Sequence, residues 1–197
     1  KQDWILRKLS DMQLHQQRLL GARIHWRDGV ELPYLGLGMR VVLAPDHRFR
    51  ERGAQLLPLL PVQPQAPAHQ LLVGLPRHAT APQLRDAVQA WLMRRAREHF
   101  TERLQHFAPQ LGVQWRKLSL SSAATRWGSA SADGSIRLNW RLIHFKPDII
   151  DYVVVHELSH LRVMNHSPAF WDTVEQVLPD YAERRAQLKD EALPRWD

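Results

Sequence analysis

The chain has 197 residues, 44% of them hydrophobic, with 27 Lys and Arg against 20 Asp and Glu, a formal net charge of +7, and no cysteine. That length bounds it to one sizeable core with at most a small lobe attached, and the missing cysteines exclude disulfides and thiolate metal ligands. No run approaches the roughly 20 apolar residues needed to cross a bilayer, so the expectation is a cytoplasmic protein with no membrane partner, whose positive charge suits an anionic substrate or a nucleic acid.

Residues 1–20 place Trp4, Ile5, Leu9, Met12 and Leu19 or Leu20 among polar residues at a helical period, which predicts a packing helix. From Arg23 the pattern changes to short apolar runs broken by Asp28-Gly29 and by Gly36 to Gly38, so residues 21–78 read as a β-rich lobe, an antiparallel meander with Asp-Gly as its stronger turn signal. Pro58, Pro61, Pro64 and Pro67 recur every third residue and predict an extended surface loop over 58–67, followed by a short strand at Leu71 to Leu75.

The longest helix is expected from Thr80 to Ala108, with Leu84, Val88, Trp91, Leu92, Ala96, Phe100, Leu104 and Phe107 on its buried stripe. Arg94, Arg95 and Arg97 on its outer face are the best patch for an anion, although solvated arginines are the ordinary explanation of such a patch. Val113 to Leu120 alternates as a strand, and Ser121 to Thr125 forms an irregular link into Arg126-Trp127-Gly128-Ser129. A turn at Ala132 to Gly134 leads to the cleanest strand pattern in the chain, Ser135 to Ile143. A helix follows Pro147, and two more are expected from Pro168 to Leu178 and from Pro179 to Leu188. Residues 79–192 then form the larger domain, and 193–197 a loose tail.

The chemistry is concentrated in Asp151 to Pro168, which contains His156-Glu157-Leu-Ser-His160, an H-E-x-x-H pattern, and a further histidine at 166. Residues four apart share a helix face, so His156 and His160 can direct imidazole nitrogens at one metal ion, as zinc ligands do. Glu157 sits about 100° round the helix, where a carboxylate can take a proton from a water polarised by that metal. The run Val153 to Val155 has low helix propensity, which implies a helix held by burial on several sides.

His166 follows His160 by about 600° of helical rotation and would face away if the helix continued. The helix must therefore stop. Asn165 suits a left-handed C-cap, and Ser167-Pro168 suits an N-cap and first turn, so His166 falls in a bend that can fold it back over the first helix. Glu175, one or two turns into the next helix, is the rival third ligand.

These segments together resemble a known family. Arg126-Trp-Gly-Ser129, Asn139-Trp-Arg-Leu142, Asp151 to Leu161 and Asn165-His-Ser-Pro-Ala-Phe-Trp171 are similar to the motifs of the YgjP-like metallopeptidases, relatives of the SprT-like and WLM-domain zinc proteases, most strongly over about residues 112–190. The resemblance implies a minimal zincin-like metallopeptidase domain of α+β class, an antiparallel sheet plus an active-site helix, with the β-meander as an N-terminal lobe. It implies Zn²⁺ on His156, His160 and His166, with Glu157 as general base, and it favours His166 over Glu175. One departure is Ala130, where the family usually has cysteine.

A peptide or protein substrate would be hydrolysed without a covalent intermediate, paired in extended form along an edge strand. Ser135 to Ile143 is either that edge or an interior strand. Arg126 and Asn139 are candidates for substrate or oxyanion contact, with a purely structural role as the alternative. Two other functions stay open. Members of the resembled family also carry a UTP pyrophosphatase description, so a metal-dependent nucleoside triphosphate pyrophosphohydrolase is one, although no Walker-type glycine loop is present. A basic nucleic-acid-associated binding module is the other.

Overall fold

The structure, a computed structural model, describes residues 23–49, 53–60, 66–123, 125–190 and 196. The helix expected over 1–20, Pro61 and Pro64 of the proline loop, and all of the 193–197 tail except Trp196 lie outside the described residues.

A four-stranded sheet comes first: β1 (Glu31–Tyr34), β2 (Leu37–Leu43), β3 (Ala54–Pro58) and β4 (His69–Val73), in spatial order β1-β2-β4-β3. β1 and β2 form an antiparallel hairpin whose turn is Leu35-Gly36, with φ of 50° and 77°. Positive φ at both central residues matches the right-handed twist of the flanking strands. The Asp28-Gly29 pair, expected to be the stronger turn, instead closes the end of β2: the Asp28 carboxylate accepts from the Leu43 amide at 2.9 Å, and the Gly29 amide donates to the Val41 carbonyl at 2.8 Å.

The expected meander is corrected at β4. That strand inserts between β2 and β3, running parallel to β2 and antiparallel to β3, so the sheet is mixed rather than antiparallel. Burial explains its central place, since Leu71 and Val73 are fully buried and lie level with Val41 and Leu43 of β2. β3 ends at Pro58, a residue without an amide hydrogen that an edge strand can accommodate.

Helix α1 (Ala81–Leu111) opens on a capping box: Thr80 accepts from the Gln83 amide at 3.4 Å, and Gln83 accepts from the Thr80 amide at 2.9 Å. It runs past Ala108 to Gly112, which stops it in the left-handed conformation at φ 64°. All eight residues of its expected stripe are buried. The arginines on its outer face are already engaged. Arg95 is bound to Glu98 at 2.7 Å, and Arg97 donates to the Leu118 carbonyl at 3.2 Å.

The second sheet has β5 (Lys117–Ser121), β6 (Gly128–Ala130) and β7 (Ser135–Asn139) in the order β5-β7-β6, with β5 parallel and β6 antiparallel to β7. It too is mixed rather than wholly antiparallel. β7 is therefore the interior strand, and it stops at Asn139 instead of continuing to Ile143. The Asn139 carboxamide oxygen accepts from the Arg141 amide at 3.1 Å and starts a 3-10 turn, Trp140–His144, in which Trp140, Leu142, Ile143 and His144 are all buried.

α2 (Pro147–Ser159), α3 (Pro168–Val177) and α4 (Tyr181–Asp190) complete the order, giving the expected α+β class. One continuous apolar cluster joins both sheets to α1 and α2. Trp196, from the stretch expected to be loose, belongs to that cluster and packs 4.8 Å from Trp140 and 4.9 Å from Trp26, ring centre to ring centre. No described helix is long and apolar enough to cross a membrane.

Candidate active site

α2 is held by burial rather than by propensity. Ile149 to Val155 and Leu158 are all buried, and Asp151 is clamped by Arg103 of α1 through two hydrogen bonds of 2.6 and 3.0 Å. The helix ends earlier than the expected stop at Asn165. Ser159 is its last residue, and the amides of Arg162 and Val163 both return to the Ser159 carbonyl at 3.0 Å.

Asn165 is not left-handed; Leu35 is the one described non-glycine residue at positive φ. The Asn165 side chain instead accepts from the Ser167 amide at 3.3 Å and steers the chain into Pro168, the first residue of α3. The bend expected before α3 is present, for a different local reason. His160 keeps right-handed dihedrals at φ −64° and ψ −20°, so its helical relation to His156 survives the end of the helix.

The bend folds His166 back. Ligand atoms of His156, His160 and His166 all lie within 4.8 Å of one another. Nε2 of His156 and Nε2 of His166 face each other at 3.1 Å, close to the roughly 3.3 Å that separates two nitrogens on one tetrahedral zinc. His160 donates through Nδ1–H to the Val163 carbonyl at 3.3 Å, which leaves its Nε2 lone pair free for a metal. A shared proton could join only one pair of these rings, whereas one cation satisfies three lone pairs.

Charge state agrees with that fit. Burial first, then the neighbouring His160 and His166 and then Arg185, depresses His156 from 6.5 to about 3, and burial also lowers His160, so both rings are in the neutral, ligating form near pH 7. Glu175 is exposed on α3 and does not join the cluster.

Glu157, the residue after His156, lies about 100° round α2 from it. It is 6% exposed, and burial pushes its carboxyl up from 4.5 to about 7. Its neighbour there is β6. A Cβ on Gly128 would lie 2.5 Å from the Glu157 Oε1, so the absence of a side chain at 128 is what admits the carboxylate.

Asn139 is 2% exposed, and its amide donates to the carbonyls of Ala123 at 2.8 Å and Arg126 at 3.4 Å, tying down the loop that leads into β6. Arg126 itself is exposed on that loop.

Two aromatic residues complete the site. Phe170 is fully buried, with its ring centre 4.9, 4.6 and 4.9 Å from those of His156, His160 and His166, and Trp171 stacks on His166 at 5.8 Å. Both follow His166 by about one helical turn, and that spacing is the signal by which they could have been placed at the site.

The three imidazoles therefore fit a metal ion such as zinc, and the buried Glu157 carboxylate is borne by the residue that follows the first of them.

Among solved structures, the chain is similar to the metallopeptidase zymogen of Pyrococcus abyssi abylysin, at 25% identity and a TM-score of 0.43, over 46% of this chain and 92% of that one. It is also similar to the metallopeptidase zymogen of Methanocaldococcus jannaschii jannalysin, at 16% identity and a TM-score of 0.42, over 46% of this chain and 94% of that one. None of the curated proteins matches the chain. The family described as YgjP-like, metallopeptidase domain, matches residues 1–191, a span that takes in both sheets, the described helices and the histidine cluster, and the chain belongs to that family.

Proposed function

We propose that the protein is a zinc-dependent metallopeptidase in which His156, His160 and His166 hold the metal and Glu157 is the general base. The observation that carries this reading is the convergence of three imidazoles beside a buried carboxylate borne by the residue that follows the first of them. Zinc, when bound there, supplies a Lewis acid that polarises a scissile carbonyl and lowers the pKa of a water toward about 7. Glu157 takes the proton from that water, holds it on its carboxylate away from bulk solvent, and returns it to the departing amine.

β6 supports a peptide substrate. It lies at the edge of its sheet, no other described strand pairs with its outer side, and it passes directly over Glu157. An extended peptide added there by main-chain hydrogen bonds would bring its carbonyl to the base. The edge role considered for Ser135 to Ile143 thus passes to Gly128–Ala130, because β7 is interior. The exposure of Arg126 at the entry to β6 supports a substrate contact, while the burial of Asn139 supports a role in holding that loop.

The test is to give zinc-loaded protein an unstructured polypeptide and, separately, UTP, with chelated protein and Glu157→Gln as controls. Cleavage of the polypeptide that both controls abolish is expected. Pyrophosphate release from UTP that disappears in Glu157→Gln, with the polypeptide left intact, would overturn the reading.

A further inference from the structure

The rim of the histidine cluster carries a cation that the proposed reaction does not use. Arg185, exposed on α4, lays its guanidinium over the Trp171 ring at 4.7 Å from the ring centre. Tyr181, one turn earlier on the same helix, stacks on Trp171 at 5.3 Å and 16°. Trp171 in turn stacks on His166 at 5.8 Å and lies 5.9 Å from His156. Two ring-to-group steps therefore connect the guanidinium to a metal-ligating histidine.

The adjacent Arg184 makes the contrast. It is bound to Asp180 at 2.9 Å and donates to the Asp148 carbonyl at 3.2 Å, so its charge is used inside the fold. Arg185 has no carboxylate partner among the described residues. A guanidinium lying on an indole keeps its in-plane N–H fork directed outward, and that fork matches a carboxylate with two parallel hydrogen bonds.

We propose that Arg185, oriented on Trp171, is a carboxylate-binding subsite that selects peptides with a carboxylate close to the bond cleaved. The proposal rests on the metallopeptidase reading above. The two steps of 5.8 and 4.7 Å limit the reach, since an extended chain advances about 3.3 Å per residue; the carboxylate falls within about three residues of the scissile bond. It is either an acidic side chain or the free C-terminus of a short peptide.

The experiment uses matched peptides, Glu against Gln at each position flanking the cleaved bond and free acid against amide at the C-terminus, and reads the ratio of kcat/KM for the acidic over the neutral partner. For the zinc-loaded protein the ratio is expected to be about ten, the worth of one charge-assisted bidentate pair at a partly exposed site. It falls to near one in Arg185→Gln, recovers partly in Arg185→Lys, which keeps the charge without the fork, and is unchanged in Arg184→Gln. The Glu/Gln and acid/amide sets separate the two sources of carboxylate. A ratio near one in the unsubstituted protein, or one that Arg185→Gln does not change, overturns the subsite, as does an Arg185→Gln effect confined to UTP.

Anisotropy of the same peptides, labelled, on zinc-loaded Glu157→Gln protein keeps the two readings apart. If no peptide is cleaved, the peptidase reading fails. An acid-over-neutral difference in Kd that Arg185→Gln abolishes then upholds the subsite, and the lack of one overturns it.

Discussion

Gly128→Ala isolates the contact that sets the general base. The added Cβ would stand 2.5 Å from the Glu157 Oε1 and 2.7 Å from both Cδ and Cγ, distances at which something must move. Comfortable carbon contacts begin near about 3.5 Å, so the carboxylate has to shift by about 1 Å. The backbone has no reason to follow, because Gly128 is in a strand and is not among the glycines at positive φ. Alanine in a strand also recovers roughly 0.5–1 kcal/mol of the conformational entropy that glycine loses, which offsets much of the cost of moving a buried side chain. The expected protein therefore folds with nearly unchanged stability and binds zinc, yet its base is misplaced. A displacement of about 1 Å in a catalytic group costs on the order of 10²-fold in rate. The assay is kcat and KM on a cleaved peptide, with zinc content by elemental analysis and the thermal midpoint measured on the same samples; the loss should fall on kcat. Full activity in a zinc-loaded Gly128→Ala protein would show that this contact does not position Glu157.

Removing the metal should destabilise the fold as well as silence it. With free zinc at about a thousand times its dissociation constant, the ion adds about 4 kcal/mol to stability, so a chelator lowers the thermal midpoint and His166→Ala removes that response; a midpoint indifferent to chelator would refute a three-histidine site. Asp151→Asn leaves Arg103 without its carboxylate in an ion pair whose side chains are 23% and 12% exposed, and should cost about 3 kcal/mol, read as a fall of roughly 6–12 °C in the midpoint. His144 predicts an acid sensitivity. Burial above all lowers its pKa from 6.5 to about 4, and its Nδ1–H donates to the Pro33 carbonyl at 2.7 Å, so on acidification the unfolded chain takes up the proton first. Its contribution is complete above pH 6.5 and is lost as pH falls toward 4, by about 3 kcal/mol; denaturant titrations across that window should show the slope, and His144→Gln should flatten it.

What could be seen in the chain beforehand, and what could not, divides by the range of the interaction. The stripe of α1 and the relation of His156 to His160 are repeats within one helix, and a repeat of 3.6 residues is written in adjacent letters. The return of His166 needs only the inference that a helix must stop; the stop falls at Ser159, and Asn165, which is not left-handed, instead leads into α3 by accepting from the Ser167 amide. Strand direction was not legible, because alternation says which side chains face the core and is the same for a parallel or an antiparallel neighbour; hence the mixed order of both sheets.

The three residues of β6 carry no apolar alternation at all. Gly128, Ser129 and Ala130 form a strand because β7 offers them backbone partners and α2 covers them. Their smallness looked like loop composition, yet it records a tertiary requirement: the Glu157 carboxylate, on a helix far along the chain, occupies the volume a side chain at 128 would take. The motif around Trp127-Gly128 and the motif around His156-Glu157 are thus two halves of one contact. A substitution that alters only the first should therefore disturb the chemistry of the second without touching a metal ligand.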